Sequence, residues 1–198
     1  MFRWLLVVVF FCLATNSVYA GSEAKAASVF TLDSLVQATA QKNDIKIMYP
    51  EELKNFTLQS TGLNEGVLSY SELLTVLNVH NYAMYKEGEI YVVKGKKYIR
   101  SSSIPLYAAG ERYYPSEIIT KIIYTKNVCV STLMPMLRPL VPQHAHFSGT
   151  NDISAIFITD VFSNIQRIES IIMDIDSRTK KQKKCSSKSR AVVGSKKT

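Results

Sequence analysis

The stretch AIFITDVFSNIQRIESIIMDID, residues Ala155–Asp176, decides the fold of the C-terminal half of the chain. Its first part, together with Ser154, is rich in apolar and β-branched residues, which is typical of a strand. The remainder repeats apolar residues every three or four positions, which predicts a helix with one buried face. Asp160 lies between the two and is expected to cap the N-terminus of that helix. The predicted buried face consists of Val161, Ile165, Ile168, Ile172 and Ile175.

A complete small domain is predicted around this stretch, over residues 117–177. EIITKIIYTK alternates isoleucine with polar residues, which predicts a strand. A helix is expected between Cys129 and Leu140, with Val130, Leu133, Leu137 and Leu140 on one face. It should start near Ser131, because Pro135 is tolerated only near the first turn, and end before Pro139. HAHF then predicts a strand and SGTND a turn, which completes the order β-α-β-β-α.

A second small domain is predicted upstream, over residues 28–94, with the order β-α-β-β-α-β-β. TLDSLVQATAQKND and SYSELLTVLNVHN have helical spacing, and Ser69 and Glu72 have the spacing of a capping box. YAMYKEGEIYVVK predicts a hairpin that turns at Glu87-Gly88. Between the two domains the periodicity lapses, so residues 95–116 are interpreted as a linker. The predicted fold class is therefore α+β, with two small domains.

Both ends of the chain differ from the predicted domains. Residues 1–20 have one arginine, ten apolar residues from Trp4 to Leu13 and a small residue at Ala20, which predicts a secretory signal peptide. A transmembrane anchor is disfavoured, because ten residues are too few to cross about 30 Å of hydrocarbon. The net charge of +8 comes from the other end, where residues 178–198 contain nine Lys or Arg and no Asp or Glu. Without that segment the chain is nearly neutral, and the basic tail is expected to be disordered.

Specific sequence features within the two domains resemble the periplasmic N-domains of bacterial secretins. In the second domain these are LRPLV at 137–141, ITD at 158–160 and NIQRIESII at 164–172. In the first domain they are LDSLVQATAQKNDIKIMY and SYSELLTVLNVHNYAMYKEGEIYVV with the spacing between them. The first domain resembles the first secretin N-domain, which is shared with the signalling domain of TonB-dependent receptors. The second resembles the KH-like second N-domain, and together the two resemblances cover residues 29–177.

This resemblance implies a location and a role. Secretins are outer-membrane channels of type II and type III secretion, type IV pili and filamentous phage export, and their N-domains stack as periplasmic rings. The first N-domain meets inner-membrane platform proteins and cargo, and the second packs against its neighbours around the ring. This sequence departs from the family because no further N-domain and no pore domain follow. We therefore expect that it does not form a channel by itself.

The possible chemical sites in the sequence favour a structural reading. His144 and His146 would lie on one face of one strand, but a metal needs at least one more converging ligand. Asp152 is interpreted as a turn residue, Asp160 as a cap, and His80 belongs to the other domain. The histidines are therefore expected to face solvent. No catalytic motif is present, so we predict no catalytic, cofactor-binding or metal-binding residues, no cofactor and no enzyme activity.

The cysteines and the tail leave alternatives open. Cys129 is expected to be buried and Cys185 to be exposed, and Cys185 would pair with Cys129 or with another chain. The tail is interpreted as inert, as a remnant of an interrupted secretin gene, as a contact for an anionic surface or acidic partner, or as a nonspecific nucleic-acid contact. No GXXG phosphate clamp follows Lys126, which argues against a nucleic-acid partner.

The sequence therefore predicts a non-catalytic periplasmic component of a secretin-dependent secretion or type IV pilus system, possessing a signal peptide. It would act by ring assembly or docking, through contacts with copies of itself, with a secretin ring or with inner-membrane platform proteins. It would lie near the membrane without spanning it, associated with the outer membrane through a secretin complex. The alternatives are a truncated secretin remnant, a periplasmic signalling module and an accessory module for DNA uptake.

Overall fold

A computed structural model describes residues 28–60, 66–180 and 185 of the chain. The predicted signal peptide, at residues 1–20, and most of the predicted basic tail lie outside these ranges. None of the helices within them has the length and apolar character that a bilayer crossing requires.

The first domain has the predicted order of helices and strands. Two short 3-10 helices accompany them, at Glu51–Asn55 and, after the last strand, at Lys96–Ser101. The second strand is reduced to two residues, because Pro50 and the 3-10 helix that follows it end the extended run. The elements are β1 Ser28–Thr31, α1 Leu32–Asn43, β2 Ile47–Met48, β3 Thr57–Ser60, α2 Tyr70–Val79, β4 Tyr82–Glu87 and β5 Ile90–Gly95.

Local capping interactions explain where these helices begin and end. The Thr31 side chain accepts the Ser34 N–H at the start of α1, and Asp44 ends that helix in the left-handed conformation at φ +50°. The predicted capping box of α2 is confirmed, since Ser69 and Glu72 bond to each other's backbone N–H groups. The hairpin turn lies one residue later than predicted, and Gly88 occupies it at φ +62°.

Two small sheets and two helices enclose the core of the first domain. β1 pairs antiparallel with β3, while β5 lies between β4, to which it is antiparallel, and the short parallel strand β2. Apolar side chains of α1 and α2 pack together with Leu53, Leu68, Met84 and Val93 between these layers. The helix residues of this core are Leu32, Leu35, Val36, Leu73, Leu74 and Leu77.

The second domain also has the predicted order, and its sheet runs β6-β8-β7 with all pairs antiparallel. The helices α3 and α4 bury their apolar faces against this sheet, with Ile165, Ile168 and Ile172 fully buried. The elements are β6 Ile118–Tyr124, α3 Val130–Leu137, β7 His146–Thr150, β8 Ala155–Val161 and α4 Phe162–Arg178.

Three sequence expectations in the second domain are wrong. β7 starts at His146, so His144 lies in the preceding loop and does not share a strand face with His146. Asp160 does not cap α4, because its pairing with Ile119 keeps it in β8 and Val161 takes the N-cap position. Leu140 is 37% exposed, because the chain passes from α3 into a 3-10 turn at Arg138–Leu140 and the 3.6-residue period ends there.

The segment predicted as a linker is packed along the two domains. Ile99 is buried in a small cluster with Ala83, Tyr85 and Ile118, which lie on β4 and β6. Further along, Leu106 forms a parallel bridge with Thr120 of β6. This connecting segment therefore continues both the core of the molecule and the edge of its second sheet.

Candidate protein-interaction surfaces

The structure separates the two histidines of the hairpin and gives them different surroundings. His146 is exposed at the start of β7, where its Nε2 lies 2.9 Å from Ser148 Oγ. His144 is half-buried, and its Nε2 lies 4.0 Å from Asp160 Oδ1. His80 lies at the C-terminus of α2 and lines the same groove as His144, which the sequence did not indicate. Across residues 28–60, 66–180 and 185, no group of three or more His, Cys, Asp or Glu side chains is arranged to hold a metal.

His144 faces charged groups of both signs. Burial lowers the pKa of the His144 imidazole, and the nearby cations Lys96 and Arg100 lower it further. The Asp160 carboxylate acts in the opposite direction but does not outweigh these effects. The neutral imidazole is therefore the favoured form at this position.

Contacts from Arg100 join the connecting segment to the loop that precedes β7 in the second domain. Its Nε donates to Ala145 O at 3.2 Å, and its Nη2 donates to Gln143 O. The contact between Thr75 Oγ1 and Ser116 Oγ, at 3.1 Å, ties α2 to the end of the connecting segment. Residues 95–116, which were predicted to be a linker, thus form part of a junction that fixes the relative placement of the two domains.

One edge of the second sheet is covered and the other is open. Beside β6, the Tyr107 N–H donates to Thr120 O at 2.7 Å and the Thr120 N–H donates to Pro105 O at 2.8 Å. On the opposite side, β7 pairs only with β8 among the strands that the structure describes. A strand edge of this kind can accept another chain by strand addition.

Large apolar side chains are exposed at two places on the second domain. Tyr124 ends β6 and is 61% exposed, while Ile153 lies in the β7–β8 turn and is 57% exposed. Tyr124 pairs with Ala155 next to the β7–β8 turn, so the side chains of Tyr124 and Ile153 both lie at the turn end of the sheet. Met136 on α3 and Leu140 just after it are exposed on the helical side. These residues are candidates for burial against another protein surface.

Asp176 anchors the loop between β6 and α3, and this role was not predicted from the sequence. Its carboxylate accepts the backbone N–H groups of Lys126, Asn127 and Val128 at 2.8–3.0 Å. Burial acts to raise the pKa of this carboxyl, but the three donors together hold it below its ordinary range. A signal was present in the sequence, because Asp176 follows Ile172 by four residues and so continues the buried face of α4.

A disulfide forms a second link, between the start of α3 and the chain that follows α4. Cys129, which is buried at the N-cap of α3, is bonded to Cys185 across 56 positions of sequence. Of the alternatives that the sequence left open, the structure shows the pairing within one chain. Cys185 is half-buried instead of exposed, because the bond holds it against the domain.

Comparison with known sequences finds relatives of one kind. The chain is 28% identical over 124 residues to the secretin XcpQ of Pseudomonas aeruginosa, which covers 61% of this chain and 18% of that protein. It is 32% identical over 120 residues to the secretin GspD of Vibrio cholerae, which covers 57% of this chain and 17% of that protein. The chain thus spans less than a fifth of the length of these curated relatives. No protein-family model matches it.

Comparison with solved structures agrees at the level of the fold. The structure is similar to a chain of the type II secretion outer-membrane complex of Klebsiella pneumoniae, which contains PulD, PulS and the HR domain of PulC. The TM-score is 0.61 with 20% identity, over 78% of this chain and 26% of the other.

The fold is a pair of small α+β domains, and it is shared with part of a chain in that complex. The sequence matches show that the chain is homologous to the N-terminal domains of the secretins XcpQ and GspD, which confirms the predicted resemblance and fold class.

Proposed function

We propose that this protein is a non-catalytic, periplasmic component of a secretin-dependent protein secretion or type IV pilus system, acting by ring assembly or docking. The observation that carries the proposal is its homology to secretin N-terminal domains over 120 residues or more. The likeness to a chain of an outer-membrane secretion complex supports it at the level of the fold. The domain division at residues 28–94, 95–116 and 117–177 is part of the proposal.

The surfaces of the second domain support a role in assembly. A ring of identical subunits needs one surface of each copy to fit a different surface of the next. The exposed Tyr124 and Ile153 at the turn end of the sheet offer one such surface, and Met136 and Leu140 on the helical side offer another. We propose that these two surfaces meet between neighbouring subunits, or between this protein and a secretin.

The use of the buried acidic groups supports a non-catalytic role. Asp176 accepts three backbone N–H groups, and Asp160 accepts the Val161 N–H and the Asn164 side-chain amide. Each carboxylate therefore holds backbone or a neighbouring side chain in place. The disulfide supports a location outside the cytoplasm, because such bonds persist in oxidising compartments.

Assembly can be tested with the purified protein and with the periplasmic domains of the secretin and inner-membrane platform proteins from the same organism. Sedimentation velocity is expected to show large oligomers or a mixed complex. Tyr124→Asp combined with Ile153→Asp should weaken that association at least roughly tenfold, because it removes two apolar contacts and introduces charges. Circular dichroism would establish that the variant is folded.

Val29→Asp is the matched control, because Val29 is 64% exposed on β1 of the first domain. It introduces the same kind of charge outside the proposed assembly surface and should leave association unchanged. The proposal fails if the wild-type protein stays monomeric at high concentration and binds none of these domains.

A further inference from the structure

A groove of about 790 Å³ lies where the first domain meets the loop that precedes β7 in the second. Phe56, Val79 and Tyr82 line it from the first domain, together with the end of β5 and the 3-10 helix that follows. Gln143 and His144 line it from the second domain. The second domain therefore completes a groove that is lined mainly by the first domain and the segment that follows it.

The charge of this groove is predominantly positive. Lys94, Lys96 and Lys97 line it, against a single carboxylate, that of Glu52. Lys96 Nζ donates to Asn78 O at 2.8 Å, Lys94 Nζ lies 5.7 Å from the centre of the buried Tyr85 ring, and Lys97 Nζ lies 4.8 Å from the centre of the exposed Tyr98 ring. Within the described ranges, none of the three lysines forms a salt bridge with a carboxylate. This local excess contrasts with the near-neutral body of the chain.

The same groove exposes apolar surface. Val79 is 69% exposed, Tyr98 is 54% exposed and Phe56 is 38% exposed. Phe56 meets His80 and Tyr82 edge-on, with ring centres 6.0 and 5.9 Å apart. An occupant that fits this surface would carry apolar side chains as well as negative charge.

The end of β5 provides backbone groups along the groove. β2 pairs only with Tyr91 and Val92, so β5 continues through Gly95 beyond its partner on that side. The Lys96 N–H donates to Asn81 O at 2.8 Å on the β4 side. Backbone direction alternates along a strand, so the N–H and C=O of Gly95 point away from β4, towards the side on which β2 has ended. An extended segment could add alongside at this position.

We infer that this groove docks an extended, acidic segment of a partner polypeptide, with Lys97 facing its carboxylates and Phe56 and Tyr98 covering its apolar side chains. The protein's own C-terminal segment does not fit, because residues 178–198 carry nine positive charges and no negative one. The inference deepens the docking role proposed above and rests on it, and it adds the location of the site and the chemistry of the partner.

A fluorescently labelled synthetic peptide with alternating acidic and Leu or Phe residues is the probe, and fluorescence anisotropy at low salt is the measurement. The wild-type protein should bind it. Lys97→Glu should weaken binding roughly tenfold, and Tyr98→Ser should weaken it several-fold. Lys96 is left unchanged because it holds the end of α2. A thermal melt would establish that each variant is folded.

Lys86→Glu is the matched control, because it changes the net charge equally at an exposed position outside the groove. That variant should bind like the wild type. A peptide with lysine in place of its acidic residues should not bind, and one with acidic residues alone should bind more weakly than the mixed peptide.

The inference is overturned if the mixed peptide does not bind, if the groove variant binds as tightly as the wild type, or if the purely acidic peptide binds equally well. It is also overturned if the wild type self-associates and the groove variant does not, since a second copy would then occupy the groove. Neither measurement uses secretin domains, so failure of the peptide assay leaves the assembly test above unaffected.

Discussion

Two buried carboxylates in the second domain hold polar groups that would otherwise lack partners. Asp176 is 6% exposed and satisfies three consecutive backbone N–H groups of the β6–α3 loop. Asp160 is 1% exposed, accepts hydrogen bonds from Val161 and Asn164, and faces His144 across 4.0 Å. Buried polar groups are costly when unpaired, so both positions stabilise the fold through the groups around them.

His144 should make stability depend on pH. Its pKa is lowered in the folded protein from the ordinary value of 6.5, by burial and then by Lys96 and Arg100. Between the folded pKa and 6.5 the unfolded chain binds more protons, so the free energy of unfolding should fall as pH drops below 6.5. His144→Gln should reduce this slope in urea titrations across that range.

The control for this measurement is His146→Gln at the start of β7. It removes a histidine but leaves His144 in place, so it should keep the wild-type slope. If His144→Gln leaves the pH dependence of unfolding unchanged, the junction does not favour the neutral imidazole.

At the scale of elements, the β6–α3 loop and the start of α3 are each tied to the C-terminal part of the chain. The Asp176 carboxylate provides one link, and the disulfide from Cys129 to Cys185 provides the other only a few residues away. α3 has eight residues and contains Pro135, so its own hydrogen bonds stabilise it weakly. These two links compensate for the weak hydrogen bonding of α3, because they fix the position of its first turn.

Loss of the disulfide should destabilise the protein measurably. Cys185→Ser is expected to lower the free energy of unfolding by roughly 2–4 kcal/mol, because the bond closes a long loop in the unfolded chain. In guanidinium titrations, reductant should lower the free energy of unfolding of the wild type to the same value. It should leave the free energy of unfolding of Cys185→Ser unchanged.

Mass spectrometry of peptides from the unreduced protein identifies the pair directly. A peptide joining Cys129 to Cys185 within one chain is expected. If the cross-link instead joins two chains, the pairing within the chain is wrong and Cys185 serves dimerisation.

At the scale of the whole molecule, the junction between the domains is built from short-range contacts over a small apolar cluster. Arg100 reaches two carbonyl groups of the loop that precedes β7, and Ile99 packs with residues of β4 and β6. Such a junction fixes the placement of the two domains and creates the groove beside it. Its stability should therefore control whether the groove persists.

Arg100→Ala should loosen the junction without unfolding either domain. Backbone amides of residues 101–106 are expected to exchange with deuterium roughly three- to tenfold faster, because two hydrogen bonds to a charged group are lost. Amides of α1 and α4 should exchange as in the wild type. Arg138→Ala is the control, since Arg138 is exposed on the second domain, and unchanged exchange in Arg100→Ala would contradict the role of Arg100.

The order of strands and helices follows from local patterns that can be read in the sequence. The spacing of Leu73, Leu74 and Leu77 and the capping pair Ser69 and Glu72 predict α2 correctly, because helix formation depends on neighbours within one or two turns. The expectations for Asp160 and Leu140 were wrong for a different reason. Pairing with Ile119 extends β8 through Asp160, and a 3-10 turn follows α3, and neither effect is visible in local periodicity.

The candidate surfaces were less predictable than the elements. The sequence indicated the class of fold, the buried helix faces and the kinship with secretin N-domains. It gave no indication that His80 and His144 share a groove, or that Arg100 of the connecting segment reaches residues 43 and 45 positions away. Contacts between residues so far apart depend on how the domains pack.

The sequence by itself determined the two α+β domains, their order and their resemblance to secretins, since hydrophobic periodicity, capping residues and motifs are local properties of the chain. Only the tertiary structure decided which side chains meet across the domains. It placed Asp176 under the β6–α3 loop, joined Cys129 to Cys185 and gathered three lysines beside exposed aromatic rings. Burial and electrostatics act through space, so these features appear only once the chain is folded.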